Sequence, residues 1–200
     1  MADVAASVLA KLKNKAKATG ISYQQCLQLF FQEEFLRKLA GSRYTENFVL
    51  KGGLFIYTLT NFESRATVDI DFLMRGLKND LESMDQIIAD ILTVSTGNEF
   101  VTFQASQTKP IAVQRKYHGI STQLTGRIKN VRVPFHVDIG VGDIVVPHPE
   151  RRKIQTQLEG YDKPEILTYS LESTIAEKFD AMLQRFELTG RMKDFYDIYY

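Results

Sequence analysis

The segment VDIDFL at positions 68–73 most constrains the fold, because its apolar and acidic residues alternate. Successive side chains of a β-strand point to opposite faces, so Val68 and the next two apolar positions are predicted to face a core. Asp69 and Asp71 then share the other face, about 7 Å apart along the strand. The pattern therefore predicts a strand with a core beneath it and two carboxylates above it.

Two carboxylates on one face repel each other and add nothing to packing, whereas a divalent cation removes the repulsion. Magnesium takes oxygen ligands, usually one or two carboxylates together with substrate phosphates. Asp138 lies in a second strand-like segment, VDI at 137–139. If the two strands pair, Asp69, Asp71 and Asp138 converge as a Mg²⁺ site, with Mn²⁺ as an alternative ion, of the kind that two-metal phosphoryl transfer requires. Taken alone, the Asp-Ile-Asp pattern also fits the solvent face of an edge strand.

Two consecutive glycines, Gly52 and Gly53, follow a predicted strand at 48–51 and precede a predicted helix at 54–59. Glycines let the backbone approach a phosphate closely, and a helix N-terminus attracts negative charge. A glycine pair alone also fits an ordinary tight turn. With an acidic pair on the next strand, it supplies both a triphosphate cradle and the metal.

The periodicity of the whole chain predicts an α+β fold, in which N-terminal and C-terminal helices flank a small, mixed, mostly antiparallel sheet. Helices are predicted between the caps Asp3 and Gly20, between Ser22 and Gly41, over 54–59, 79–95 and 171–186, and from 192 onward. Strands are predicted over 48–51, 68–73, 100–103, 120–124 and 131–139. This order suggests a helical segment at 1–45 packed on the core, a core at 46–168, and a C-terminal helical segment at 169–200, which ends inside a predicted helix and is either a fragment or a short form.

Two stretches have less regular patterns. The helix over 79–95 is predicted to be capped by Asn79 and to bury Leu81. The stretch 145–167 holds three of the five prolines and is interpreted as a connector. The basic run at 151–153 within it is expected to be a solvated loop, with contact to an acceptor RNA as the alternative.

Lys178 lies in an otherwise apolar helix pattern with Ile175, Phe179 and Met182. A buried lysine is costly unless it is paired, so either a paired or a solvated lysine fits the pattern. Asp194 and Asp197 are three residues apart on one helical face and could pair with Lys178 or with Arg191. A purely structural ion pair and a role in an active site both remain open.

The overall composition excludes few functions. Lysines and arginines number 25 against 24 acidic residues, and a net charge of +1 gives no global argument for a nucleic-acid partner. The single cysteine, Cys26, excludes an internal disulfide and fits a reducing compartment. No apolar run is long enough to cross a bilayer, and the N-terminus lacks a signal-peptide layout. We therefore expect a soluble cytoplasmic protein that has no membrane partner.

Several motifs together resemble the AbiEii/AbiGii toxin family of polymerase β-like nucleotidyltransferases. They are KGG at 51–53, R-x-T-x-DIDF at 65–72, AEKF-x-A at 176–181 and RMKDFYD at 191–197. Fifteen residues separate Gly53 from Asp69, which suits this toxin branch. The resemblance extends over nearly the whole chain, and the combination of motifs is specific although no single motif is.

The resemblance implies magnesium-dependent transfer of a nucleotidyl group from a nucleoside triphosphate to an acceptor, such as a tRNA end. It further implies a toxin of a type IV toxin–antitoxin or phage-defence system, with a cognate antitoxin as a partner. The residues expected in the site are Asp69, Asp71 and Asp138 as metal ligands, Gly52, Gly53, Arg65, Thr67 and Lys178 around the nucleotide, and Lys51, Asp194 and Asp197 in support. Asp138 is also a candidate for activating the acceptor hydroxyl, and Arg65 could instead be a structural anchor. His136 shares the strand face of Asp138 but is set aside as a lone histidine.

Two other functions use some of the same residues. A metal-dependent nuclease would need the three carboxylates but neither the Gly52-Gly53 turn nor Lys178. A non-catalytic binding module on the same fold is disfavoured because all three carboxylates are present.

Overall fold

The structure, a computed structural model, describes residues 3–111, 118–185 and 192–199. Its helices are α1 (Val4–Thr19), α2 (Tyr23–Ala40), α3 (Gly52–Leu59), α4 (Leu81–Leu92), α5 (Leu171–Arg185) and α6 (Met192–Tyr199). Its strands are β1 (Phe48–Lys51), β2 (Ile70–Met74), β3 (Thr102–Ile111), β4 (Gly119–Ile128), β5 (Val131–Gly140), β6 (Glu150–Lys153) and β7 (Glu165–Thr168). Among these helices, none is long and apolar enough to cross a lipid bilayer.

One sheet runs through the described residues in the order β3-β4-β5-β2-β1-β7-β6. β2 pairs with β5, and β1 with β7, in parallel, whereas the other neighbouring strands are antiparallel. The α+β prediction is confirmed, and the sheet is mixed, with two of its six strand pairings parallel. The parallel pairings join strands far apart in the chain, which local patterns do not reveal. They place the two predicted acidic strands side by side.

The N-terminal helices begin and end where the sequence predicts. The Asp3 carboxylate accepts a hydrogen bond from the Ala6 N–H, and Ser22 and Gln25 form a reciprocal capping box at the start of α2. α2 packs against β5 and β7 and is buried on nearly all sides. Its Phe35 ring lies 6.3 Å from that of Phe72 on β2, centroid to centroid. β2, the strand that leads into the site, therefore packs on a helix that is itself part of the hydrophobic core.

Two boundaries differ from the sequence prediction. β2 begins at Ile70, and Val68 is 59% exposed instead of facing the core. The Val68 carbonyl accepts hydrogen bonds from the side-chain amides of Gln28 and Gln32, so the backbone there is held by α2 rather than by a neighbouring strand. Asp69 thus lies in the turn that enters β2.

α4 also begins later than predicted. Its N-cap is Asp80, whose carboxylate accepts from the Ser83 N–H at 2.9 Å, and not Asn79. The Asn79 amide instead donates to the His118 carbonyl at 2.9 Å. Leu81, at the first helical position, is exposed, because the buried face of α4 begins one turn later at Met84.

The predicted connector at 145–167 contains β6 and β7, so the basic run at 151–153 is an edge strand and not a loop. The prolines are compatible with this because they precede the two strands and are not within them. Arg151 forms an ion pair with Glu46, and the Arg152 guanidinium lies over the Phe55 ring. The predicted end of the α5 helix at 186–190 lies outside the described residues.

Candidate active site

The predicted carboxylates meet at one end of the central strands. In the parallel β2–β5 pair, Asp71 lies opposite Asp138, and in the antiparallel β1–β2 pair Lys51 lies opposite Asp71. Neighbouring strands are about 4.8 Å apart, so these positions are adjacent. Asp69 enters the same cleft from the turn before β2, and the cleft has a volume of about 450 Å³. The long-range pairing thus brings together three carboxylates separated by up to 69 positions in the numbering.

The glycine turn is packed directly on one of these carboxylates. Gly52 has a left-handed backbone with φ of 68°, and a Cβ atom there would clash with the Asp71 carboxylate. A Cβ on Gly53 would lie 3.0 Å from Thr67 Oγ1. The turn is therefore tight, and it also places the N-terminus of α3 beside the carboxylates. Conformation and close approach both require glycine at position 52.

The carboxylates share an unfavourable electrostatic environment. Burial, together with the charges of Asp138, Asp69 and Glu177, raises the pKa of Asp71 to about 6, although Lys51 opposes this shift. Concentrated negative charge of this kind favours a cation in the cleft. Hard oxygen donors fit Mg²⁺ or Mn²⁺ better than softer metals.

The protein does not enclose a metal ion by itself. Within the ranges that the structure describes, no group of three or more His, Cys, Asp and Glu side chains is arranged so that it could hold a metal ion alone. Magnesium usually retains water and binds through one or two carboxylates plus substrate phosphates. The open donor set therefore fits an ion that is completed by a phosphorylated substrate.

Two further side chains contact the carboxylates. The Ser121 hydroxyl on β4 donates to Asp138 Oδ1 at 2.5 Å and is itself buried. His136 Nδ1 lies 3.3 Å from Asp69 Oδ1. Ser121 was missed because it reaches Asp138 through the β4–β5 register. The alternation rule places His136 on the correct strand face, but a lone histidine in the sequence gives no reason to include it in the site.

Lys178 points into the cleft from α5, and its side chain is only 14% exposed. Its ammonium donates to Asp197 Oδ2 at 2.8 Å and to Asp194 Oδ1 at 3.3 Å, both on α6. Arg65 also donates to Asp197 Oδ2, at 2.8 Å. Lys178 is thus a paired lysine. Because Asp197 accepts from both Lys178 and Arg65, it links α6 to the segment that precedes β2.

The apolar surroundings predicted for Lys178 are only partly present. Met182 is buried, but Ile175 and Phe179 are about half exposed. The helix turns Lys178 and Glu177 toward the cleft, so these apolar neighbours face away from it. Local periodicity identifies an apolar stripe but does not tell which face of the helix meets the sheet.

Lys51, which lies opposite Asp71 in the β1–β2 pair, forms ion pairs with two residues that the sequence analysis did not select. Its ammonium is 2.9 Å from Asp143 Oδ2 and 3.2 Å from Glu177 Oε1. Burial lowers the pKa of Lys51, but Glu177 and Asp143 outweigh it and raise the pKa overall. The Tyr169 hydroxyl donates to Asp143 at 3.1 Å. Glu177 also lines the cleft, and its place next to Lys178 in the AEKF motif was the only signal for it.

Most of the predicted site residues line this one cleft. They are Gly52, Gly53, Arg65, Thr67, Asp69, Asp71, Asp138, Lys178 and Asp194. Lys51 and Asp197 are not part of the lining but contact it, through Glu177 and through Arg65 and Lys178. The arrangement combines a carboxylate cluster, a glycine turn at a helix N-terminus and partly buried cations. Such a cleft is suited to a metal-bound polyphosphate.

Comparison with known proteins agrees with this geometry. The structure resembles the crystal structure of JHP933 from Helicobacter pylori, with a TM-score of 0.55 and 15% identity over 88% of this chain and 65% of that one. It also resembles an H. pylori protein proposed to be a nucleotidyltransferase, with a TM-score of 0.51 and 15% identity over 88% of this chain and 67% of that one. The chain thus spans about two thirds of the length of these solved chains, and at this identity the likeness shows the fold alone.

Family assignment comes from the sequence. No curated protein matches the chain. The profile of the nucleotidyl transferase AbiEii toxin family, of type IV toxin–antitoxin systems, matches residues 34–200. This range includes every predicted site residue and most of the chain. The chain belongs to the nucleotidyl transferase AbiEii toxin family.

Proposed function

We propose that the protein transfers a nucleotidyl group from a nucleoside triphosphate to an acceptor in a magnesium-dependent reaction. The observation that supports this most strongly is the pairing of Asp71 with Asp138 beneath the Gly52-Gly53 turn. A nuclease would need the carboxylates, but it would not need a glycine turn at a helix N-terminus packed on one of them. Lys178 in the same cleft adds a charge suited to a polyphosphate.

In this proposal Asp69, Asp71 and Asp138 hold the metal ion. These carboxylates would hold magnesium, which would supply positive charge to neutralise the charge that develops on the phosphates. The backbone N–H groups at the start of α3 and the hydroxyl of Thr67 orient the triphosphate. These groups act mainly by positioning and by electrostatic stabilisation, which supply most of the catalysis in phosphoryl transfer.

The proposed reaction is an in-line displacement at the α-phosphorus. The acceptor hydroxyl oxygen bonds to this phosphorus, the bond from the phosphorus to the β-bridging oxygen breaks, and pyrophosphate leaves. The hydroxyl proton passes to Asp138 Oδ2, because Oδ1 already accepts from Ser121. Ser121 thus fixes which oxygen of Asp138 faces the acceptor.

The cations of the cleft change partners in this scheme. In the structure, Lys178 is neutralised by Asp194 and Asp197, and Arg65 by Asp197. A triphosphate carries more negative charge than either carboxylate, so it competes for both cations. Lys178 then binds the triphosphate as a point charge, while Asp197 keeps Arg65 in place.

We further propose an RNA acceptor such as a tRNA end, a cognate antitoxin as a partner, a role in phage defence and a cytoplasmic location. Family membership supports the antitoxin and the role as a toxin. The free, buried Cys26 thiol is compatible with a reducing compartment. The net charge of +1 means that RNA binding would depend on a local surface and not on a global field.

The direct test is incubation with each nucleoside triphosphate labelled at the α-phosphate, together with magnesium and total RNA. We expect one triphosphate to label RNA, and Asp71→Asn to lower this labelling by at least about a hundredfold, as expected for loss of a central electrostatic contact. Asp85→Asn, a matched change on the exposed face of α4, serves as the control. Shortened RNA without label would indicate the nuclease, and unlabelled intact RNA would contradict an RNA acceptor.

A further inference from the structure

A second cavity, of about 400 Å³, adjoins the cleft and has no role in the function proposed above. It lies among α1, α2, α3 and the segment that follows α3. One stretch of chain forms the wall between the two spaces. Glu63 and Ser64 line the cavity, Arg65 and Thr67 line the cleft, and Ala66 lines both. The small side chain of Ala66 therefore lies at the boundary between the cavity and the cleft.

The linings of the two spaces differ in chemistry. The cleft lining contains charged, small and hydroxyl-bearing residues and, among the described residues, no aromatic ring. This lining suits a metal-bound triphosphate but offers no flat apolar surface. The cavity contains two rings, Tyr57 and Phe62, and three side-chain amides, from Gln25, Asn61 and Gln157. Aromatic faces and amide edges are the groups with which proteins stack and read nucleobases.

Several polar groups of the cavity remain available to a ligand. Gln157 donates from Nε2 to the Cys26 carbonyl, which leaves its side-chain oxygen without a partner among the described residues. The Asn61 side-chain amide makes no hydrogen bond within those residues. The Ser64 hydroxyl is buried and also lacks a partner there. The cavity thus offers both a hydrogen-bond donor and acceptors.

The aromatic residues of the cavity are held in a defined arrangement. The Tyr57 and Phe62 rings meet edge to face at 5.3 Å between centroids. Phe62 has a left-handed backbone with φ of 69°, and Asn61 precedes it with φ of 50°. This conformation is unfavourable for a bulky residue and is compatible with a functional constraint on the position of the ring.

We propose that this cavity binds the base of the nucleoside triphosphate whose phosphates lie in the cleft, with the ribose passing Ala66. The proposal rests on the proposed function and extends it, because it assigns selection among the four nucleotides to residues of α3 and the segment after it. The charges of the cleft bind the triphosphate group, which is the same in all four nucleotides. Discrimination between bases therefore needs a separate surface, and the cavity supplies one.

The test compares two probes that differ only in the nucleoside. Binding of each nucleoside triphosphate and of inorganic tripolyphosphate is measured by calorimetry with magnesium, in the absence of RNA. We expect one nucleotide to bind at least about fivefold more tightly than tripolyphosphate, which is the low end of what base stacking on an aromatic residue contributes. Phe62→Ala should remove that advantage and leave tripolyphosphate binding unchanged, whereas Lys178→Ala should weaken both probes.

Asn61→Gly provides a second variant that keeps the left-handed backbone and removes only the amide. We expect it to reduce the preference among the four nucleotides severalfold. Phe179→Ala, at an exposed phenylalanine of α5, is the matched control and should change neither probe. Unchanged nucleotide binding in both cavity variants, or parallel losses for nucleotide and tripolyphosphate, would overturn the base pocket.

Two other results are distinguishable from these. If neither a nucleotide nor tripolyphosphate binds to the parent protein, the proposed function fails, and the base pocket that rests on it fails with it. If the cavity variants bind nucleotides normally but transfer poorly to RNA, the cavity holds a base of the acceptor. That result also overturns the proposal as stated.

Discussion

Helices α2 and α5 both border the core sheet, yet they are held in opposite ways. α2 is buried on nearly all sides, with aromatic residues such as Phe35 packed against the sheet. α5 instead exposes a stripe of large apolar residues at four-residue spacing, namely Leu171, Ile175, Phe179 and Leu183. Polar contacts attach it, among them the Lys51–Glu177 ion pair and the hydrogen bond from the Val146 N–H to Ser173. α2 is therefore part of the hydrophobic core, whereas α5 is held mainly by ion pairs and hydrogen bonds.

This difference divides the candidate site into two halves. Asp71 and Asp138 belong to strands that the apolar core supports, since Phe72 and Val137 next to them are fully buried. Lys178 belongs to the half that ion pairs hold, through Asp194 and Asp197. Packing depends on the apolar contact area, whereas a largely buried ion pair depends on both of its charges being present. The two halves should therefore respond separately to mutation.

The largest expected effect compares one phenylalanine from each helix. Phe35 is 1% exposed and Phe179 is 50% exposed. Phe35→Ala should lower the free energy of unfolding by about 3–5 kcal/mol, because it leaves a cavity beneath β2. Phe179→Ala should change it by less than about 0.5 kcal/mol, as is usual at exposed positions. Urea denaturation of both variants measures this difference, and similar losses would show that α5 is packed as tightly as α2.

The second prediction separates the two halves of the site. Lys178→Ala should lower nucleotidyl transfer by at least about a hundredfold, the low end for removal of one preorganised donor. Magnesium affinity should persist, because Asp71 and Asp138, two of the three proposed ligands, lie on strands that the core supports. Transfer rate and magnesium affinity are measured on the same preparation, with Lys109→Ala on the exposed edge strand β3 as the matched control. Near-normal transfer would show that Lys178 serves only to pair the acids of α6.

Local patterns predicted the elements that depend on neighbouring residues. The capping box at Ser22, the strand before Gly52 and the acidic pair follow from caps and alternation within a few positions. Local patterns did not predict Ser121 and Glu177. Ser121 contacts Asp138 through the β4–β5 register, and Glu177 contacts Lys51 through the orientation of α5. Long-range pairing decides these contacts, and a single sequence holds no local signal for it.

The exposed stripe of α5 illustrates the same limit. Apolar periodicity predicted a helix at 171–186 correctly in kind, yet it suggested that Lys178 lies on the apolar face. The stripe and the lysine instead face different surroundings, since ion pairs at the cleft orient the helix. Residue roles in catalysis stay predictions, because geometry places the groups together without measuring what each one does.

The smallest expected effect concerns the pH dependence of the carboxylate half. The pKa of Asp71 is raised from its usual 3.8 to about 6 by burial and by Asp138 and Asp69. A carboxyl whose pKa is higher in the folded state stabilises the fold when protonated, and this stabilisation is lost as pH rises from about 4 through 6. Asp71→Asn removes this dependence. Without metal, the variant should therefore gain up to about 3 kcal/mol over the parent between pH 4 and pH 7.

Magnesium should narrow the difference in stability between the two proteins at pH 7. Binding to the ionised carboxylates stabilises the parent, whereas Asp71→Asn lacks a ligand and should gain less. Free energies of unfolding at pH 4, 5, 6 and 7, with and without magnesium, measure both effects. Asp85→Asn on α4 controls for the loss of one exposed carboxylate. A parent and an Asp71→Asn variant with parallel pH profiles would show that Asp71 ionises normally, and the carboxylates would then not be poised for a cation.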